Sequence, residues 1–248
     1  MLVSNAWWWV VAACGLVMVM GGLVKGTLGV GLPLVAVPLL SLLLPAPQAM
    51  GLLVVPVLAS NLLQAWQGGR LGFALRRFGP LMLAQLAATL LAVYWSQQLS
   101  AKGLNIAIAL TVISAVFIMA VQPSGDIPVR HQRWIGPVVG AIGGALGGLS
   151  SVTGPIIIIY LMALRLGRDE FVGSISIIYF FGAVPMYAAM LWWDRFGWTE
   201  VGWSFLGLLP VYLGMKLGGL LRGRMSEEIF RRALFGFLVL MSVMLIFK

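Results

Sequence analysis

The sequence predicts an all-α polytopic membrane protein: two inverted-topology repeats of about five hydrophobic segments each, with broken or re-entrant half-helices. Three observations carry this. The 248 residues are 61% hydrophobic and only 9% charged, with a mean hydropathy of +1.02, and apolar runs able to cross a ~30 Å hydrocarbon core recur along the chain. Gly22-Leu-Val-Lys-Gly-Thr-Leu-Gly-Val-Gly-Leu-Pro33 and Gly144-Ala-Leu-Gly-Gly-Leu-Ser-Ser-Val-Thr-Gly-Pro155 read as versions of one another, offset by 122 residues. Equivalent loops of the two halves also differ sharply in basic charge.

In chain order, helical segments are expected near Ala6–Leu28, Pro33–Leu44, Gln48–Trp66, Phe78–Trp95 and Gly103–Val121, then near Trp134–Leu149, Pro155–Leu164, Phe171–Trp193, Val201–Leu221 and Ile229–Phe247. This gives a first membrane repeat over 1–121, a cytoplasmic linker over 122–133 and a second repeat over 134–248. The segment after each glycine motif is short. At 1.5 Å per residue its 12 or 10 residues reach only about 15–18 Å, half a bilayer. Beyond the motif, Arg70-Leu-Gly-Phe matches Arg195-Phe-Gly-Trp, Pro80 is aligned with Pro210 after a small insertion, and Leu99-Ser100 with Met225-Ser226. Ala84 and Ala88 answer Gly214 and Gly218 at a spacing that lets helices approach closely in lipid.

Loop charges orient the halves. Arg70, Arg76 and Arg77 make one loop basic, while its counterpart carries Asp194, Arg195 and Glu200. Lys102 stands alone where the second half has Arg222, Arg224, Arg231 and Arg232. Basic loops face the cytoplasm, so equivalent loops face opposite sides. The N-terminus is expected outside, with the Gln122–Arg133 linker and the Arg222–Arg232 loop inside. Trp7–Trp9, Trp66, Trp95, Trp134, Trp192, Trp193 and Trp198 fall near segment ends, as an interfacial belt requires. The N-terminal run has no basic residue before Trp7 and no typical cleavage site, so it reads as a span rather than a secretory signal.

The net charge of +9 follows from these topology determinants, and no nucleic-acid motif accompanies it. One cysteine, Cys14, excludes an internal disulfide and a cysteine metal cluster. The one histidine, His131, lies in the linker as a solvated side chain. Every Asp and Glu falls at a segment end or in a loop, which argues against a carboxylate proton relay or a carboxylate-built cation site.

The duplicated motif carries the chemistry. Breaking a helix within lipid strands backbone groups unless protein, water or ligand satisfies them. Glycines permit the turn, and Pro33 and Pro155 suit the first turn of the half-helix that follows. Each half-helix start then offers N–H groups and a partial positive charge to an anion, although glycines at this spacing also serve helix packing. The expected substrate-binding residues are Lys25, Gly29, Gly31, Pro33, Asn61, Ser150, Ser151, Thr153, Gly154 and Pro155, with no metal or cofactor. Lys25 is an intramembrane cation, a functional candidate unless it snorkels to an interface. Asn61 and Gln64 share a helix face that lines a cavity or bonds between helices. Ser150, Ser151 and Thr153 either contact ligand or cap the broken helix.

These motifs resemble those of the TauE/SafE family of bacterial sulfite and organosulfonate exporters. The carrying residues are Gly22, Gly26, Gly29, Gly31 and Pro38 in the first half, and Gly144, Gly148, Ser150, Ser151, Thr153, Gly154 and Pro155 in the second. Lys25 stands outside the family pattern. Glycines are usual in the family where Ser151 and Thr153 stand. The resemblance implies a multi-pass inner-membrane secondary transporter that moves a small anion such as sulfite or a sulfonate outward by alternating access, with a coupling proton or ion and a homodimer as further expectations. An anion channel, or an importer of another small anion, is the alternative. A non-transporting assembly protein, or an intramembrane enzyme, for which neither a Ser–His pair, an Asp pair nor a zinc motif is present, fits less well.

Overall fold

The computed structural model describes residues 3–69, 71–121, 127–221 and 227–248. Its twelve helices are α1 (Val3–Leu28), α2 (Leu32–Leu43), α3 (Ala46–Gly51), α4 (Val54–Gly68), α5 (Leu71–Ser96), α6 (Ala101–Val121), α7 (Val129–Ser150), α8 (Gly154–Ala163), α9 (Arg168–Trp192), α10 (Trp198–Leu206), α11 (Leu208–Leu221) and α12 (Glu227–Ile246). Among the described residues there is no strand. Among the described residues, five stretches are long and apolar enough to cross a membrane: Trp8–Leu28, Ala46–Gly68, Leu71–Ser96, Ala101–Val121 and Glu170–Trp192. The bent pair α10–α11 makes a sixth if it is one span.

The ten expected segments are all helical, with four differences. Gln48–Trp66 divides into α3 and α4 around Leu52 and Leu53 because Pro56, four residues on, has no N–H for the Leu52 carbonyl. Val201–Leu221 bends by 43° between α10 and α11, where Pro210 likewise cannot serve the Leu206 carbonyl. Helix α7 begins at Val129, earlier than the expected Trp134, so Arg130, His131 and Arg133 sit in its first turns. Arg76 and Arg77 belong to α5 rather than to a loop. Arg70, Gln122–Asp126 and Arg222–Ser226 lie outside the described residues, as do the side chains of Trp7 and Arg231. Trp8, Trp9, Trp66, Trp95, Trp134, Trp192 and Trp198 are exposed.

Packing in one half is repeated in the other with the roles exchanged. Helix α1 lies along α11 and α7 along α5, while α4 meets α9 and α6 meets α12. The two long contacts are backbone against backbone. A Cβ on Gly22 or Gly26 would fall on the carbonyl of Val211 or Met215, and one on Gly144 would fall on that of Gln85. Thr27 Oγ1 donates to the Gly218 carbonyl at 3.3 Å, and Thr89 Oγ1 to that of Gly144 at 3.2 Å.

This packing corrects the alignment of the two halves in one place. Gly22 and Gly144 are equivalent and meet Val211 and Gln85, so α5 and α11 are related by an offset of 126 (211 − 85). Pro80 then matches Leu206, not Pro210, and the counterparts of Gly214 and Gly218 are Ala88 and Ala92. Ala92 Cβ is the side-chain atom nearest to a Cβ built on Gly148.

Candidate functional site

Both long helices stop at the same point of the repeat. Helix α1 ends where Gly29 turns left-handed (φ 82°), its N–H donating to the Lys25 carbonyl at 2.7 Å. Helix α7 ends where Ser151 does the same (φ 59°), donating to the Gly147 carbonyl at 2.6 Å. A non-glycine residue in this region costs about 1–2 kcal/mol, so Ser151 holds a strained turn that Gly29 makes freely. Three residues later the chain re-enters a helix in each half, with proline in its first turn. Gly31 (φ 102°) caps α2 and Thr153 precedes α8; neither cap position supplies a side-chain hydrogen bond to the helix start. The first-turn N–H groups there are left for another partner.

Those two starts line one cavity of about 50 Å³. At roughly 10–15 Å³ per water-sized sphere, that is room for a few waters or one small polyatomic ion. Its wall contains Lys25, Gly31, Pro33, Asn61, Ser151, Thr153, Gly154 and Pro155 from the expected set, together with Tyr179, Ala183, Met186 and Tyr187 of α9 and Met119 of α6. Gly29 and Ser150 are not in the wall. The Gly29 carbonyl accepts from Gln64 Nε2 at 3.2 Å, while Ser150 Oγ donates to the Leu146 carbonyl and accepts from Val152 N–H. Ser150 is thus a helix-end staple.

Positions related by the 122-residue offset face the same space. Val30 and Val152, Gly31 and Thr153, Pro33 and Pro155, Val57 and Tyr179, and Asn61 and Ala183 all line the wall. Tyr179 and Tyr187 were not anticipated. They lie eight residues apart with Ala183 midway, on one helix face, and the repeat of Val57 falls on Tyr179, which was the available signal.

The polar groups of the wall are few. Lys25 and Asn61 are each 3% exposed, and Lys25 Nζ donates to Asn61 Oδ1 at 2.6 Å. Among the described residues the wall holds no Asp or Glu. Tyr179 hydroxyl donates to the Gly154 carbonyl at 2.9 Å, tying α9 to the start of α8. Ser151 Oγ and Tyr187 hydroxyl are buried and make no hydrogen bond to the described residues, although they stand close to one another. Buried hydroxyls are normally satisfied. A basic amine, two hydroxyls without a hydrogen-bond partner among the described residues and two uncapped helix starts surround this small space.

The sequence model described as "Sulfite exporter TauE/SafE" matches residues 14–245. The chain belongs to the TauE/SafE family. As a member it is a multi-pass membrane transporter of the sulfite or organosulfonate type, in accord with its apolar helices. No curated protein and no solved structure matches this TauE/SafE chain.

Proposed function

We propose that this TauE/SafE member is a secondary transporter that exports a small oxyanion, sulfite or an organosulfonate, across the bacterial inner membrane. The anion sits between the starts of α2 and α8 and is reached alternately from each side. The observation that carries this reading is Lys25, a buried amine in a cavity whose wall has no carboxylate among the described residues and which also holds two hydroxyls without partners there. A carboxylate in the wall would have supplied the countercharge; here that place suits a ligand. Purified protein in detergent is expected to bind sulfite or an alkanesulfonate in preference to acetate. In liposomes it is expected to show saturable counterflow. Flux without saturation or counterflow would make it a channel, and preference for carboxylates would refute the substrate class.

The exchanged packing of the halves supports an inverted topology, in which the helix starts approach the midplane from opposite faces. With Cys14 replaced by serine, single cysteines at Gln98 and Thr199 are expected to react with a membrane-impermeant maleimide in intact cells. A cysteine at His131 is expected to react only after permeabilisation. Labelling of Gln98→Cys and His131→Cys from the same side would rule the arrangement out.

A further inference from the structure

We propose that Lys25 is the proton-binding site of the transport cycle, so that the cavity takes up one proton with each anion. The proposal rests on the anion reading above and adds the coupling ion and the residue that holds it.

The amine of Lys25 is fully enclosed, and its hydrogen-bond acceptor, Asn61 Oδ1, is neutral. An ammonium in that setting has no countercharge among the described residues of the wall, and that place is open to an anion. A neutral amine keeps two N–H groups and still donates to Asn61, so the hydrogen bond survives loss of the proton. When an oxyanion enters between the helix starts, it supplies the missing countercharge, and a proton from bulk water adds to the Nζ lone pair. Anion and proton then leave together, the amine returning to its neutral form. By linkage, whatever the anion does for protonation, the proton does equally for anion affinity.

Among the described residues no other ionisable group competes for this role. Facing Lys25 from α9 are the phenols of Tyr179 and Tyr187, of a type that ionises near pH ~10 in water. Helices α2 and α4 carry no titratable side chain. On α8, Tyr160 hydroxyl donates to the Gln132 carbonyl, away from the cavity. On α6, Lys102 is exposed at the opposite end from Met119, and on α11 Lys216 is exposed and stacks over the Tyr212 ring. Cys14, on α1 itself, lies three turns away in a lateral groove between α1 and α10.

One consequence concerns direction. A monovalent anion would move with its proton as a neutral pair, indifferent to membrane potential. An inward proton gradient then opposes export, so net export occurs only when the ratio of internal to external anion exceeds the ratio of external to internal protons.

The test uses the full chain in detergent with sulfate and methanesulfonate, probes whose own charge is fixed from neutral to alkaline pH. Wild-type Kd is expected to rise about tenfold per pH unit on the alkaline side. Calorimetry in buffers of different ionisation heat is expected to give one proton taken up per anion bound. Lys25→Arg, permanently cationic, is expected to bind with a pH-independent Kd and no proton uptake. Wild-type binding that is flat in pH with no proton uptake overturns the proton proposal and leaves the anion site standing, however the variant behaves. Proton uptake that persists in Lys25→Arg places the proton elsewhere and also overturns it. Failure of both probes and of sulfite to bind removes the anion reading itself.

Discussion

Lys25→Met is expected to weaken oxyanion binding by about 10- to 100-fold while leaving the melting temperature of the purified protein within a few degrees of wild type. Hydrogen bonds to a charged group contribute about 1.5–3 kcal/mol, and each ~1.4 kcal/mol is a factor of ten in Kd. Methionine keeps most of the side-chain volume. Burying an amine carries a cost, whether as a desolvated ion or through loss of its proton, and removing it offsets the donor that Asn61 loses. Ser151→Ala and Tyr187→Phe remove neutral hydroxyls that stand close to one another and have no hydrogen-bond partner of good geometry among the described residues, so each should weaken binding only about 3- to 10-fold. Melting and ligand titration on the same samples check this. A variant that melts far lower yet binds normally would make Lys25 a structural residue.

Gly22→Ala and Gly144→Ala should each destabilise the fold by about 1–3 kcal/mol, the range for overpacking. The obstacle is a backbone carbonyl, that of Val211 or Gln85, so relief requires the helix axes to separate rather than a side chain to rotate. Gly15→Ala and Gly236→Ala are the controls. Beyond the helix's own turn, no atom of the described residues lies within 4 Å of a Cβ at either position, and alanine there should be neutral or stabilising by up to ~1 kcal/mol, because it restricts the unfolded chain and favours helix. Thermal unfolding in detergent separates the two classes. Equal melting of all four variants would mean that close helix approach does not hold the structure together.

These glycines also show how two readings of one motif divide. Gly-xxx-Gly spacing and the Gly/Pro break were legible together in the sequence, and either could have explained the conservation of pattern between the halves. In the structure Gly22, Gly26, Gly144 and Gly148 pack against neighbouring helices, while Gly29, Gly31 and Ser151 turn the chain. Lys25 sits next to Gly26 in sequence but a full 100° round the helix from it, which directs it to the cavity instead of the α11 contact. The register of Pro80 against Pro210 was misread because prolines mark a backbone limitation and not a position. Helix contacts, carried by Val211 and Gln85, define equivalence. Tyr179 and Tyr187 were missed because their counterparts, Val57 and Ala65, share none of their chemistry.

The sequence by itself determined the class of molecule, the ten helical segments and the two places where a helix must break, because hydropathy and the backbone limits of glycine and proline act locally. It also contained the family motifs that place the chain among TauE/SafE transporters. Only the tertiary structure decided which polar groups meet. Whether Lys25 reaches Asn61, whether Ser150 staples a helix end while Ser151 faces the cavity, and that α9 contributes two tyrosines all depend on how each helix is rotated about its axis. That rotation is set by glycine-to-carbonyl contacts between segments nearly two hundred residues apart, such as Gly22 with Val211, which no local pattern encodes.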